Sequence, residues 1–520
     1  MKKSTLLNIV FLATGLFGWS VALTSIFKTG LGWDSIFDLN SAKLALENSG
    51  TLNLDSYYDI VPITSEFYGT FIYKVADWLS MHIIGESIFA DVNALNNYYL
   101  IDLTTLIISL LSILLVSFSL YLTLDTSKYS FVFFGLISTL PIWVGMSQVN
   151  SKDLPVAAGL SVLSSGFMLI LKQNRSRRLF YIGILFTSLG GGLALSVRPA
   201  AITIVLGFLF LNTLIFLLFN FRLRKLHNLS LEIFSVNVVT VLISFLILYL
   251  SNPIKLVNLD NWIIDAVRTS LNYPSIQQVK LFGKDFASND LPNWYVLAWV
   301  WAQLPVLTFV SLILSLILLV KKLLVNRNPY LIYCISPFLV QAFLVPVVLL
   351  VTQNNMYNGV RHILFIYPAL ILISSIFLAD CVKNFGSRII KVLSLSFVLL
   401  VLFLNAFATY RWSPYSYAYI NPVAGMGNER KWDLDYWGLS SREGIEKLNA
   451  LNSSNPKHIM PDNSSSILFG GKSVTELSSI ETPFSLYVFV HWNHKIVEDN
   501  CKIYFRIKRD NQVLGMGGIC

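Results

Sequence analysis

The sequence predicts an all-α polytopic membrane bundle of about 11 transmembrane helices, followed by a small C-terminal α+β extracytoplasmic domain. Three observations predict it. Of the 520 residues 55% are hydrophobic and only 13% are charged, apolar runs recur along the first four fifths of the chain, and the tail is polar. Soluble globular proteins carry about 25% charged residues. The composition therefore excludes a water-soluble enzyme, and it leaves too much apolar surface for a disordered chain.

Each membrane-spanning helix needs about 20 mostly apolar residues. Runs of that kind predict eleven spans, at 5–27, 98–124, 129–149, 155–171, 179–197, 200–220, 230–251, 294–320, 329–352, 363–380 and 389–409. The first follows Met1 and two lysines, as a signal peptide would, but its apolar stretch is long and its cleavage-like site is weak. It is therefore predicted to remain as a span.

The net charge of +9 comes from short basic clusters between the apolar runs, which indicates membrane topology and no nucleic-acid partner. Alternate loops are basic and predict the cytoplasmic side, with the N-terminus cytoplasmic and the tail extracytoplasmic in the cytoplasmic (inner) membrane. The basic residues are Lys172, Arg175, Arg177, Arg178, Arg222, Arg224, Lys225, Lys321, Lys322, Arg327, Lys383 and Arg388.

Two domains are predicted, a membrane domain at 1–409 with outer loops at 28–97 and 251–293, and a C-terminal domain at 410–520. The four cysteines have no metal-ligand spacing and form no CxxC motif, which gives no support to a zinc finger or a redox protein. Cys501 and Cys520 both fall in the tail, where a disulfide is allowed but not established by the sequence.

Carboxylates follow the first span in the motif GWDSIFD. Asp34 and Asp38 are four residues apart and would share one face of a helix. A carboxylate shielded at the membrane interface can act as a general base or hold a metal. Acidic residues in the first turn of a helix are also favoured by its dipole, and the spacing alone leaves both interpretations open.

Three further outer segments carry charged residues. Lys152 and Asp153 lie in a short turn before Pro155, where Asn150 or Asp153 could cap the next helix or Lys152 and Asp153 could face a cavity. Arg198 lies between two spans, and it could bind a lipid phosphate or only reach the interface. Arg361 and His362 begin the tenth span and suit an anionic headgroup or a simple interfacial anchor.

These segments carry a resemblance to a known superfamily. The motif at 32–38, NSKDLP at 150–155, YNGVRH at 357–362 running to Pro368, and the tail from Asn421 through DYWGLSSRE at 435–443 resemble the GT-C superfamily of integral-membrane glycosyltransferases. The chain is most similar to bacterial relatives of dolichyl-phosphate-mannose–protein mannosyltransferases and of lipid A aminoarabinose transferases. The tail aromatics and carboxylates either contact sugars or join the tail to the membrane domain, and the second interpretation is preferred.

The resemblance implies a transferase of class EC 2.4 that moves a sugar from a polyprenyl-phosphate donor to an acceptor on the outer face. It implies Asp34 as the catalytic base in an inverting single displacement. Asp38, Asp153 and Lys152 would position the acceptor or a metal. Arg198, Arg361 and His362 would bind the donor phosphate. Relatives often have adjacent acidic residues where Ser35 follows Asp34 here, which leaves a divalent metal ion open as a cofactor.

Two other functions share the same layout. A flippase or transporter of polyprenyl-linked lipids or glycans would need charged or broken helices at mid-membrane, where the predicted spans carry almost no charge. An outer-leaflet glycan polymerase or ligase would also act on this face. The expected partners are therefore the lipid-linked donor, membrane lipids and a protein, lipid or glycan acceptor whose class the sequence leaves open.

Overall fold

The computed structural model describes most of the chain. The described residues are 3–47, 67–124, 127–173, 175–222, 226–252, 259–271, 276–325, 330–352, 355–383, 387–427, 431–451, 459–461, 463–470, 487–490, 498 and 501–519.

Helices dominate the fold. In chain order they are α1 (Lys3–Ile26), α2 (Ser35–Glu47), α3 (Phe71–Ile83), α4 (Leu95–Leu124), α5 (Ser127–Ile137), α6 (Pro141–Ser147), α7 (Asp153–Leu171), α8 (Arg177–Val197), α9 (Ile202–Arg222), α10 (Leu226–Ser251), α11 (Leu259–Leu271), α12 (Tyr295–Gln303), α13 (Val306–Leu324), α14 (Tyr330–Thr352), α15 (Ile366–Lys383), α16 (Arg388–Trp412) and α17 (Ser441–Leu451).

Nine of the described helices are long and apolar enough to cross a membrane, namely α1, α4, α7, α8, α9, α10, α13, α14 and α16. The pair α5 and α6 and the shorter apolar helix α15 occupy the two remaining predicted spans. All eleven predicted spans thus fall on apolar helices, and the chain is an integral membrane protein with the predicted helical bundle.

Two predicted spans are interrupted. The span at 294–320 divides at Leu304 and Pro305, where proline cannot continue the hydrogen bonding of α12. The span at 129–149 divides before Pro141, and α5 and α6 meet at a bend of 69°. Pro141 is the first residue of α6, a position that its fixed backbone angle favours, and Pro305 is the N-cap residue of α13.

The bend between α5 and α6 is a packed structural feature. Trp19 donates a hydrogen bond from Nε1 to Ser138 Oγ at 2.9 Å, and the Thr409 hydroxyl donates to the Thr139 carbonyl oxygen at 2.8 Å. Residues 129–147 contain no charged side chain. The Thr139 carbonyl oxygen is therefore satisfied by α16, as a helix break inside a membrane requires, and the Ser138 side chain ties the bend to α1.

Strands form two small sheets outside the bundle. The strands β1 (Gln278–Leu281) and β2 (Lys284–Ala287) form an antiparallel hairpin. In the tail, β3 (Ile459–Pro461), β4 (Tyr487–Val490), β5 (Lys502–Arg509) and β6 (Gln512–Ile519) form one sheet in the order β3-β4-β6-β5.

The β3–β4 pair of the tail sheet is parallel, and the β4–β6 and β5–β6 pairs are antiparallel. Helix α17 packs on this sheet, and Gly444 and Gly515 leave room for the ring of Phe489 between them. The predicted small α+β tail is therefore confirmed.

Buried side chains of the bundle and the tail form one continuous hydrophobic cluster. It includes Trp143 and Phe365 in the bundle and Tyr417, Leu439 and Phe489 in the tail. The boundary between 409 and 410 stays a prediction. Cys334 and Cys381 are buried in the bundle, whereas Cys520 lies outside the described residues.

Candidate active site

The loop after α1 is fixed in place by the tail. The backbone amide of Gly30 donates to the Leu439 carbonyl oxygen at 2.9 Å, and the amide of Trp33 donates to the Trp437 carbonyl oxygen at 3.0 Å. A Cβ atom on Gly30 would lie 2.6 Å from the Leu439 oxygen, so only glycine permits this approach. The tail thereby sets the position of Asp34.

Asp435 organises the tail loop that makes these contacts. It is fully buried and has a left-handed backbone with φ 50°. Its carboxylate accepts hydrogen bonds from the amides of Leu439 at 2.9 Å and Ser440 at 3.1 Å, and from the hydroxyls of Tyr417 and Ser440. The preferred interpretation of this motif as a join between tail and bundle agrees with these contacts, although Trp437 also faces the site.

Replacing the Asp435 carboxylate should destabilise the protein. Asp435→Ala leaves buried donors without an acceptor, which we expect to lower the free energy of unfolding by about 3 kcal/mol or more, at about 1–3 kcal/mol per unsatisfied group. Chemical unfolding in detergent measures it. Asp435→Asn keeps one acceptor oxygen and should lose less stability. Equal stability of wild type and Asp435→Ala would contradict the positioning role.

Lys152 lies at the centre of the site. Its Nζ atom is 2.7 Å from Asp38 Oδ1, 3.4 Å from Asp34 Oδ2 and 4.6 Å from the centre of the Tyr68 ring. The Asp34 side chain is 43% exposed, whereas that of Asp38 is 12% exposed. Of the two carboxylates, Asp34 is therefore the one that a bound molecule can reach.

The two carboxylates differ in acidity. Burial alone would raise the pKa of Asp34, but the charges of Lys152 and Arg361 outweigh burial and hold that pKa below its ordinary value. Burial raises the pKa of Asp38 to about 7, against the pull of Lys152. Asp34 is thus ionised at neutral pH, whereas Asp38 exchanges its proton near neutrality.

The turn at 150–153 positions Lys152 and Asp153. The Asn150 Oδ1 atom accepts from the backbone amides of Lys152 at 3.1 Å and Asp153 at 2.7 Å, and Asn150 Nδ2 donates to Asp153 Oδ2 at 3.1 Å. The N-cap residue of α7 is Lys152, and Asn150 bonds to the backbone at this end of the helix from two residues earlier. Lys152 lines the acidic side of the site, whereas Asp153 pairs with Arg198, and the roles of both residues stay predictions.

Arg198 extends the charge network away from Asp34. Its guanidinium lies 2.5 Å from Asp153 Oδ1 and 5.0 Å from the centre of the Tyr68 ring. Because Lys152 contacts the same ring, Tyr68 lies between the two cations. Sequence reasoning missed Tyr68, since a lone aromatic residue in a long loop carries no recognisable pattern.

Arg361 lies among aromatic rings. Its guanidinium is 5.0 Å from the ring centre of Tyr357, 5.5 Å from Trp437 and 5.9 Å from Tyr436, within the range of cation–π contacts. Within the described ranges no carboxylate forms an ion pair with Arg361, and its buried Nε atom has no hydrogen-bond partner. Arg361 is therefore a cation available to an anion in the site.

His362 contributes a neutral ring. Burial and the adjacent Arg361 charge lower the pKa of His362 to about 3, so the imidazole is uncharged at neutral pH. Its Nδ1 atom is buried without a partner in the described structure, and its ring meets that of Tyr357 at 4.9 Å. His362 can exchange hydrogen bonds with a ligand but does not supply the positive charge expected from the sequence.

Two cavities meet at this network. The first, which we call the acidic cavity, measures about 50 Å³ and is lined by Asp34, Asp38, Lys152, Arg361 and Trp437, among others. Asp102, which the sequence places near the end of a span, also lines it.

The second cavity, which we call the apolar cavity, measures about 500 Å³. Arg198, Tyr68, Tyr357 and His362 lie on its wall, and most of its other lining residues are aliphatic. All seven predicted site residues thus lie at one of the two cavities or pair with a residue that does. Their roles stay predictions.

The acidic residues do not fit a metal site. Both Asp34 and Asp38 bind the Lys152 ammonium, which occupies the position between them. In the described parts of the chain, no group of three His, Cys, Asp or Glu side chains is placed to hold a metal ion.

No protein-family model and no curated protein sequence matches the chain. Several solved structures do match the chain in fold. ArnT from Cupriavidus metallidurans in the apo state, a lipid A aminoarabinose transferase, superposes with a TM-score of 0.54 at 12% identity over 99% of this chain and 98% of ArnT. The chain has the GT-C fold. The same ArnT bound to undecaprenyl phosphate gives a TM-score of 0.50 at 12% identity with the same coverage.

An archaeal oligosaccharyltransferase shares the fold as well. AglB from Archaeoglobus fulgidus, in complex with an inhibitory peptide and a dolichol-phosphate, gives a TM-score of 0.52 at 11% identity. The match covers 89% of this chain but 63% of AglB, so this chain corresponds to less than two thirds of that protein. The resemblance predicted from the sequence is confirmed at the level of the fold.

Proposed function

We propose that the protein transfers a sugar from a polyprenyl-phosphate donor to an acceptor by an inverting single displacement, with Asp34 as the general base. One observation carries the proposal. The accessible, ionised carboxylate of Asp34 lies in a small polar cavity together with Arg361, which forms no ion pair with any carboxylate of the described residues, and a large apolar cavity begins at the neighbouring His362. A sugar held between a hydroxyl acceptor and a lipid phosphate needs this combination.

The apolar cavity is the proposed donor site. Its aliphatic wall suits a lipid chain, and the cations Arg198 and Arg361 would bind the phosphate, with His362 offering a neutral hydrogen bond. Guanidinium groups pair well with phosphate because they can donate two parallel hydrogen bonds. The binding of undecaprenyl phosphate by a protein of the same fold supports this choice.

The proposed transfer accounts for every bond and proton without a further reactant. The acceptor oxygen forms a bond to the anomeric carbon of the sugar as the bond from that carbon to the phosphate oxygen breaks. The acceptor proton passes to Asp34, and polyprenyl phosphate leaves with the bonding electrons. Arg361 and Arg198 would stabilise the charge that grows on the phosphate, which is the usual role of such fixed cations.

In the proposed reaction, the positive charge of Lys152 compensates the negative charges of Asp34 and Asp38. An ammonium between Asp34 and Asp38 keeps two neighbouring carboxylates compatible without an added cation. We therefore expect transfer to continue at the wild-type rate after EDTA treatment in metal-free buffer. A loss of activity that Mg²⁺ or Mn²⁺ restores would contradict the absence of a metal from the reaction.

Orientation is part of the proposal. The ends of α7, α13 and α8 that lie away from the site carry Lys172, Lys321, Lys322, Arg177 and Arg178. Clustered basic residues favour the cytoplasmic side. The site and the tail would then face the outside of the cytoplasmic (inner) membrane, with the N-terminus cytoplasmic.

The direct test uses the purified protein in lipid nanodiscs. A panel of polyprenyl-phosphate sugars is supplied with a mixed pool of envelope acceptors, and release of free polyprenyl phosphate is measured. Release from one donor of the panel is the expected result. Movement of intact donor between leaflets without release would instead support a flippase.

A further inference from the structure

An exposed aromatic side chain occupies the tip of the β1–β2 hairpin. Phe282 and Gly283 form the two-residue turn between the strands, and both have left-handed backbones, with φ 51° and φ 82°. Turns of this kind favour asparagine or aspartate before the glycine, because a bulky side chain is disfavoured in that conformation. Phe282 is nevertheless present and 44% exposed. The hairpin therefore keeps a large apolar ring at a position whose backbone opposes it, and such outliers point to a function.

The Phe282 ring belongs to an apolar surface built by three segments that lie apart in the sequence. Its centroid is 4.7 Å from that of Trp432 in the tail and 5.8 Å from that of Trp294, the residue before α12. The Trp432 indole donates from Nε1 to the Ala424 carbonyl oxygen at 3.0 Å, two residues before the exposed Met426. The hairpin, the start of α12 and the tail loop thus present one continuous surface.

Helix α12 extends this surface toward the membrane. Trp294, Leu297 and Trp301 follow helical spacing and therefore share one face. Trp294 and Leu297 are exposed, and the Phe282 ring also meets the ring of Trp301 at 6.3 Å. Helix α12 has no charged residue and leads through Pro305 directly into the membrane-spanning α13. We call four of the exposed side chains the aromatic patch, namely Phe282, Trp294, Leu297 and Met426.

We propose that the aromatic patch inserts into the surface of the bilayer on the side of the candidate active site. The occupant is assigned by continuity, because α12 is the part nearest the site of an apolar run whose remainder spans the membrane. Tryptophan side chains concentrate at the boundary between lipid headgroups and acyl chains. Contiguous exposed apolar surface marks an interaction site. The proposal is independent of the chemistry of transfer.

The charge near the hairpin tip favours the same partner. Lys284 directly follows the turn, is exposed and forms no ion pair within the described residues, whereas Lys280 pairs with Asp285 at 2.9 Å. A cation beside an aromatic tip can reach the phosphates of lipid headgroups while the ring lies below them. The tip therefore combines an apolar ring with a cation, as expected at a lipid surface.

Insertion of the patch would connect the bilayer to the candidate active site. The Gly283 amide donates to the Lys431 carbonyl oxygen of the tail at 2.9 Å, and the Met356 amide donates to the Ser288 carbonyl oxygen at 3.1 Å. Met356 lies in the loop that leads to Arg361. The hairpin thereby joins the bilayer surface to the tail at its tip and to the Arg361 loop at its base, so insertion would fix the height of both above the membrane.

Depth-dependent fluorescence quenching tests the proposal. An environment-sensitive fluorescent amino acid is incorporated at Phe282, and separately at Leu297, in the full-length protein in nanodiscs. The lipids carry a nitroxide either next to the headgroup or at the end of an acyl chain. We expect stronger quenching by the shallow nitroxide at both positions, with a depth of about 5–10 Å into the boundary between headgroups and acyl chains. Because the two positions lie on different segments, a folding defect at the strained turn does not remove the test.

Tyr504 is the matched control position, because it is an aromatic residue of similar exposure, 46%, on β5 and outside the patch. A probe there should emit as in water and remain unquenched by either lipid. Probes at Phe282 and Leu297 that also emit as in water would overturn the proposal and favour a protein partner. Quenching at Leu297 alone would mean that α12 meets the bilayer without the hairpin, and equal quenching at Tyr504 would mean that the contact is not specific to the patch. Either result would also overturn the proposal.

Discussion

Asp34→Asn is expected to lower kcat for polyprenyl-phosphate release by about a hundredfold or more, the effect of removing a positioned general base. The amide retains the size of the carboxylate and an oxygen that can accept a hydrogen bond from Lys152, so the loop should keep its position. What it cannot do is take the acceptor proton. The donor KM should change little, because the donor phosphate is assigned to Arg198 and Arg361. Release rates in nanodiscs at saturating donor measure the effect.

Asp290→Asn provides the control for Asp34→Asn, since Asp290 is an exposed carboxylate outside both cavities. It should retain wild-type release. Full activity of Asp34→Asn would remove Asp34 from the chemistry. The base would then be sought in Asp38, whose pKa of about 7 suits proton transfer at neutral pH but whose carboxylate is engaged by Lys152.

The membrane part of the fold could be predicted from the sequence because few backbone structures can cross the hydrocarbon core of a bilayer. A run of about 20 apolar residues must satisfy its backbone internally, which makes it a helix. The two interruptions were also marked in the sequence, by Pro141 and Pro305, but hydropathy alone does not distinguish a broken span from a continuous one. The bend before Pro141 also depends on contacts with distant helices, through Trp19 and Thr409, which hydropathy does not reveal.

The sequence indicated which residues belong to the candidate site, but it did not indicate which of them contact each other. Polar residues crowded into short turns between spans, such as Lys152 and Arg361, are conspicuous in an apolar chain. Which carboxylate binds which cation depends on contacts between distant segments, as in the pairing of Lys152 with Asp38. The neutrality of His362 is a further example, because it follows from burial beside Arg361 and from no local pattern.

The role of the tail motif at 435–443 could not be decided from the sequence. The aromatic and acidic residues at 435–443 suggested either sugar contacts or a structural join. In the fold, Asp435 takes the structural part by holding the loop, while Trp437 lines the acidic cavity. Asp435 also has a left-handed backbone, and because aspartate adopts that conformation more readily than most residues, the residue type alone does not reveal the turn.

Arg361→Met should cause the second large loss, about a hundredfold to a thousandfold in kcat, as seen when a fixed group that stabilises transition-state charge is removed. Arg361 is the cleanest cation to test because no carboxylate in the described structure pairs with it, whereas removing Arg198 would also strand Asp153. Methionine preserves much of the contact with Tyr357 and Trp437 while deleting the charge.

Arg361→Lys separates charge from geometry in the same experiment. Lysine restores the charge but not the planar fork that binds phosphate through two parallel bonds, so recovery should be partial. Arg268→Met serves as control, since Arg268 is an exposed cation on α11. If Arg361→Met releases polyprenyl phosphate as fast as Arg268→Met, the leaving phosphate does not depend on Arg361, and the donor would have to be held from the Arg198 side of the apolar cavity alone.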